Sequence, residues 1–222
     1  MQRSSISIIL SLCYFLSNGQ NKALSIPMNS KGDTTNWYKW IQKYAFDNGL
    51  KDLTVSKDSL HFRVSTVSEA VDVWTNDYKA FKGKITAFIK CSKSNQPETF
   101  KTYSKPINDS TAKKIYQILN GNQVFEIPTQ NKITGWNQGF DGIEILIEYS
   151  TPTIYDFKEY WTPSMFPEIK DAKIIDTVQR QVWTILYKIK FSANLLSDGC
   201  TYIYNGVQGI PIKPYKKRQK SR

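Results

Sequence analysis

Between Gly142 and Trp161 two alternating runs follow each other almost without a break. Ile143, Ile145, Ile147 and Tyr149 take every second position; after Ser150-Thr151-Pro152, Tyr155, Phe157 and Trp161 share one parity. Period-two patterning puts each set on one strand face. A three-residue gap is too short for a helical crossover, so the two runs predict an antiparallel hairpin. If one face is buried, the apolar sets must coincide. That condition selects a register with Tyr149 opposite Thr153, Ile147 opposite Tyr155, Ile145 opposite Phe157 and Glu144 opposite Lys158. Sliding by two sets Glu148 against Asp156, like charges in direct opposition.

Further strands are expected at Leu60–Val64, Ala70–Trp74, Gly83–Cys91 and Val124–Ile127, the last stopped by Pro128, with a weaker one at Phe100–Ser104. Three helices are expected as well. Asp33-Thr34-Thr35 can cap one that carries Trp37, Ile41 and Tyr44 on a single face. Asp109 can cap a second over Ser110–Asn120, closed by Gly121. Pro167 can open a third, with Ile169, Ala172, Ile175, Val178, Val182, Leu186 and Ile189 forming a continuous stripe. Strands and helices do not alternate as in βαβ units. The expected class is therefore α+β: a mostly antiparallel sheet with helices on one face and a long C-terminal helix.

The first residues read as an export signal. Arg3 is the only charge before Lys22, Ile6–Leu16 is apolar with interspersed serines, and Ser17-Asn18-Gly19 suits a signal peptidase. This divides the chain into a signal peptide at 1–19, a linker at 20–32, a single domain at 33–212 and a basic tail at 213–222. The location expected is secreted or periplasmic. A lipid anchor on Cys13 is the alternative, opposed by the bulk of Leu12. Cleavage leaves Cys91 and Cys200, which an oxidising compartment permits to pair. The formal net charge is +11, and Lys213, Lys216, Lys217, Arg218, Lys220 and Arg222 concentrate much of it in the tail. Such a tail attracts acidic polymers, but export argues against nucleic acid as the partner. No apolar run reaches the ~20 residues that span a bilayer.

The chemistry on offer is sparse. His61 is the single histidine, so no two-imidazole metal site can form within one chain. The sequence carries no Gly-x-Ser-x-Gly elbow, phosphate loop, dinucleotide fingerprint or CxxC; no cofactor or metal is expected. Glu144 and Glu148 share a strand face, but about 13 Å separates them at about 3.3 Å per residue. Glycosidase carboxylates lie about 5–9.5 Å apart. The densest unusual segment is Gly135-Trp136-Asn137-Gln138-Gly139-Phe140-Asp141-Gly142 with Tyr160-Trp161-Thr162-Pro163. Trp136, Phe140, Asp141, Tyr160 and Trp161 are the candidate ligand-binding residues. Their rings either form a platform for sugar or peptide or plug the sheet end, with Asp141 satisfying turn amides.

These segments, with Val71-Asp72-Val73-Trp74-Thr75-Asn76-Asp77-Tyr78 and Lys82-Gly83-Lys84, carry a resemblance over Leu60–Leu186 to uncharacterised exported proteins of Bacteroidota. The resemblance implies an envelope or extracellular setting and no reaction. The leading expectation is an exported, non-enzymatic protein that binds an envelope protein or polymer. A carbohydrate or peptidoglycan hydrolase using Asp141 and a neighbouring acid is the alternative, and an inhibitor or immunity protein against a secreted toxin is the third reading.

Overall fold

The computed structural model describes residues 22–45, 47, 49–92, 99–139, 141–187, 201–204 and 207–210. These form an α+β domain around one sheet. Its strands are β1 (Ala23–Ser25), β2 (Leu60–Ser65), β3 (Glu69–Thr75), β4 (Lys82–Ser92), β5 (Thr99–Ile107), β6 (Glu144–Ser150), β7 (Ile154–Trp161), β8 (Thr201–Tyr204) and β9 (Val207–Ile210). The spatial order is β1-β7-β6-β2-β3-β4, continuing through β8 and β9, with β5 also on β4. Only β1, parallel to β7, departs from antiparallel pairing among these strands.

Two long helices cover one face. Asn108 caps α2 (Asp109–Gly121) by accepting from Thr111 N, one residue earlier than expected; Asp109 instead accepts from Phe81 N. The other, α3 (Lys170–Tyr187), buries Ala172, Ile175, Val178, Val182 and Leu186, five members of the expected stripe; Ile189 lies outside the described residues. Against these helices pack Phe62, Val64, Val71, Val73, Ile85, Ile145 and Ile147. Full burial of each such side chain is worth about 1.5–3 kcal/mol.

The opposite face is covered too, by residues 22–58. The segment expected as a linker is engaged: β1 extends the sheet, and the Lys22 ammonium donates to Leu53 O, Ser56 O and Ser150 Oγ at 3.1, 2.7 and 2.8 Å. Thr35 caps the short α1 (Asn36–Trp40), which continues as a π turn over Ile41–Ala45. Ile41, Leu50 and Leu53 meet Ala70, Phe88, Leu146, Tyr155 and Phe157 in a second core, and Tyr38 stands edge-on to Phe157 at 5.2 Å.

This second core corrects the expected hairpin register. Tyr149 pairs with Asp156, Ile147 with Lys158, Ile145 with Tyr160 and Glu144 with Trp161. The apolar sets of the two strands therefore face opposite sides of the sheet. With both faces buried, nothing forces them together. Lys158 lies on the helix-covered side, where it donates to Phe125 O and pairs with Asp156. A second correction concerns Val124–Ile127, which forms turns and not a strand. Gln123 at φ 51° reverses the chain there, and Val124 N and Glu126 N bond locally to Leu119 O and Gln123 O.

Candidate functional site

The face covered by residues 22–58 carries buried charge in rows set by register. Glu148, Arg63, Asp72 and Lys84 stand side by side on β6, β2, β3 and β4, alternating in sign as favourable cross-strand pairs do. Arg63 is 1% exposed. It donates to Asp72 Oδ1, Glu148 Oε2 and Lys51 O, each at 2.8 Å. Burial works to raise the Asp72 carboxyl, but Arg63 and His61 outweigh it and hold the group below the usual range. Tyr155 donates to Glu148 Oε1 at 3.0 Å. His61 lies under Trp74, ring centres 5.4 Å apart. Its Nδ1 faces Asp58 Oδ2 at 3.0 Å and its Nε2 faces Asp72 Oδ1 at 3.1 Å. His61 thus bridges the two carboxyl groups, and Lys51 closes on Asp58 from the solvent side at 2.6 Å.

In the next two rows of this face the charges are not balanced. Glu144 stands opposite Trp161, and Glu159 opposite Leu146, so the two glutamates are diagonal neighbours on one face. Diagonal positions lie about 7–8 Å apart at their backbones, within reach of long side chains. Glu144 is 3% exposed, and neither of its oxygens makes a hydrogen bond; Glu159 Oε2 has none either. Burial, and secondarily Glu159, push the Glu144 carboxyl up to about 8, against a smaller pull from the Trp37 indole. Burial likewise raises Glu159, offset in part by Thr35.

Glu144 opens into a recess of about 120 Å³ whose walls include Trp37, Thr66, Gln138, Gly139 and Trp161. The loop at 135–142 is shaped to admit the Trp161 ring. A side-chain carbon at Gly139 would overlap that ring, and one at Gly142 would come within 2.7 Å of its Nε1. Close approach of backbone to an aromatic face is a position for glycine. The end of β7 is held by side chains standing in for a neighbouring strand. Thr129 Oγ1 accepts from Glu159 N at 3.2 Å, and Gln130 Oε1 accepts from Trp161 N. Thr162 follows at φ 37°, in the left-handed region that a β-branched residue rarely takes; its Oγ1 accepts from Ile143 N at 3.0 Å.

The candidate residues thus separate. Trp161 lines the recess. Trp136 is 7% exposed, donates from Nε1 to Trp161 O at 2.9 Å, and packs on Tyr160 and Phe166 with ring centres 5.6 and 5.5 Å away. Tyr160 is fully buried and donates to Ile127 O. Both rings sit in the core beneath the loop. Asp141 is exposed and is not among the residues lining the recess. Phe140 lies outside the described residues, as do residues 1–21, Cys200 and the tail; Cys91 is described only as backbone, opposite Thr99 and Tyr202.

Sequence reasoning missed Trp37, Glu144 and Glu159 as site residues. The available signal was the run Ile145-Leu146-Ile147 between Glu144 and Glu148. Three apolar residues in a row mean that both strand faces are buried, which places the flanking acids inside.

Among the described residues, no group of three or more His, Cys, Asp or Glu side chains is arranged to hold a metal ion, and no helix is long and apolar enough to cross a membrane. No protein-family model matches the chain, and no curated protein matches it either.

Proposed function

We propose that this chain is an exported envelope protein that binds a protruding group of a partner or polymer and performs no covalent chemistry on it. The observation that carries the reading is the recess walled by Trp37 and Trp161 with the unpartnered Glu144 carboxyl facing it. Its volume of about 120 Å³ is well below the ~300–1,000 Å³ of pockets that enclose a whole drug-sized molecule. It suits the end of something larger. One acid lines it, whereas glycoside hydrolysis needs two flanking the scissile bond. The export part rests on the basic, apolar and small-residue pattern of residues 1–19 and on the resemblance to exported Bacteroidota proteins.

The test is a co-sedimentation assay with isolated envelope fractions, comparing the unmodified chain with Trp161→Leu, alongside an assay for released reducing ends and amines. Saturable binding that Trp161→Leu weakens, with no product, is expected. Catalytic release of product would replace this reading with the hydrolase one, which the raised Glu144 carboxyl beside Glu159 would then explain as a general acid.

A further inference from the structure

The recess contains a charge problem without an internal solution. Glu144 is almost wholly buried, both its oxygens lack hydrogen bonds, and Glu159 behind it adds a second acid with an unpartnered oxygen. Among the described lining residues there is no lysine, arginine or histidine. The Trp37 indole favours the charged form only weakly against burial and Glu159, so the acid is costly in either form: charged it lacks a counterion, and neutral it lacks an acceptor for its proton. The nearby Arg63 does not help, because its donors go to Asp72, Glu148 and Lys51. What remains at the recess is an acid with two indoles, Trp37 and Trp161, among the lining residues.

We propose that this recess binds a small alkylammonium group, with the positive nitrogen against Glu144 and the carbon substituents between Trp37 and Trp161. The inference rests on the binding reading above and names its ligand chemistry. Each property of the recess selects for it. Indole faces attract an organic cation, most strongly where water is displaced. Glu144 keeps its proton up to about 8; once that proton is released, its carboxylate supplies the counterion that a neutral sugar or an anion would leave unused. The volume of about 120 Å³ is about that of four waters at ~30 Å³ each, enough for an ammonium head with a few carbons. A hard metal ion wants roughly six oxygen ligands, and Glu144 is the one carboxylate among the described lining residues. Primary ammonium, as on lysine-like side chains or ethanolamine, and quaternary ammonium, as on choline, share this chemistry.

The experiment is titration of the folded chain at about pH 9, where Glu144 is ionised and an alkylammonium keeps its charge, with n-propylammonium, with choline and with 3,3-dimethyl-1-butanol, the neutral isostere of choline. Calorimetry and tryptophan fluorescence are the readouts. At least one cation is expected to saturate, binding about tenfold or more tighter than the neutral isostere. The stronger of the two cations identifies the source: propylammonium if N–H donation to Glu144 dominates, choline if the indole walls dominate. Glu144→Gln should lose that tenfold preference while keeping the near-ultraviolet dichroism of the native fold. The cation-to-isostere ratio on the unmodified chain decides the matter even if this variant misfolds. Equal affinity for choline and its isostere would overturn the cation assignment and leave the binding reading standing. Absence of saturation by all three probes also overturns the assignment. If Trp161→Leu then leaves envelope binding unchanged, the binding reading falls with it.

Discussion

Glu144 and Trp161 face each other directly across β6 and β7, so a single register position supplies both the acid of the recess and one of its aromatic walls. A slip of either strand by one residue would send its own side chain to the helix-covered core and part the pair. The recess therefore depends on what holds the end of β7 in place, chiefly Thr129, Gln130 and the Trp136 bond to Trp161 O.

Stability should fall as pH rises from about 4.5 to about 8. The folded chain keeps the Glu144 proton up to about 8, whereas the unfolded chain releases it near 4.5. Between these values the folded state binds more protons, so stability drops with pH, by roughly 1.4 kcal/mol per pH unit at most for this group. Urea denaturation at pH 5 and pH 8.5 should show a larger loss for the unmodified chain than for Glu144→Gln. Equal losses would remove Glu144 as the cause.

Arg63→Met should destabilise by about 3–5 kcal/mol at pH 7, because it removes the charge that Asp72 and Glu148 share from either side and leaves both buried beside an apolar side chain. The Asp72 contribution has the opposite sign to that of Glu144. Its carboxyl is lowered, so its stabilisation is present above the ordinary aspartate value and lost as pH falls through the folded one. The gap between Arg63→Met and the unmodified chain should narrow below pH 4 in the same denaturation assay.

Trp136→Ala should cost about 3–5 kcal/mol through lost burial and a residual cavity, and the Trp161 carbonyl would lose its indole donor. Chemical denaturation followed by fluorescence checks this. A loss within about 0.5 kcal/mol, the range of ordinary surface changes, would contradict its place in the core. Asp141→Asn, at an exposed loop position, should stay within that same small range.

Gly139→Ala should separate the recess from the fold. Its added carbon meets the Trp161 ring, and that ring is also braced by Phe166 with centres 6.0 Å apart. Displacing it should cost about 1–3 kcal/mol, as overpacking does, and weaken envelope binding strongly. Full binding by this variant would show that Trp161 can move without consequence.

Much of the architecture was legible in local pattern. Six of the expected strands and the C-terminal helix are found where local pattern puts them, because a strand or helix that buries one side must repeat its apolar residues at its own geometric period. The class follows from the order of those elements. Other features depended on contacts distant in sequence. Val124–Ile127 has strand composition but turns, since Gln123 reverses the chain and the neighbouring bonds are local. Residues 22–32 look like a linker, yet Lys22 finds three acceptors on residues 53, 56 and 150. The register of β6 and β7 was decided by the second core. Pairing one apolar face with another is required only when the far side meets water, and here α1 and its neighbours cover that side. With the register went the site: alternation marks Glu144 and Glu159 as polar positions, but only the tertiary structure brings them diagonal to each other, buries them and gathers Trp37 and Trp161 with Glu144 at one recess.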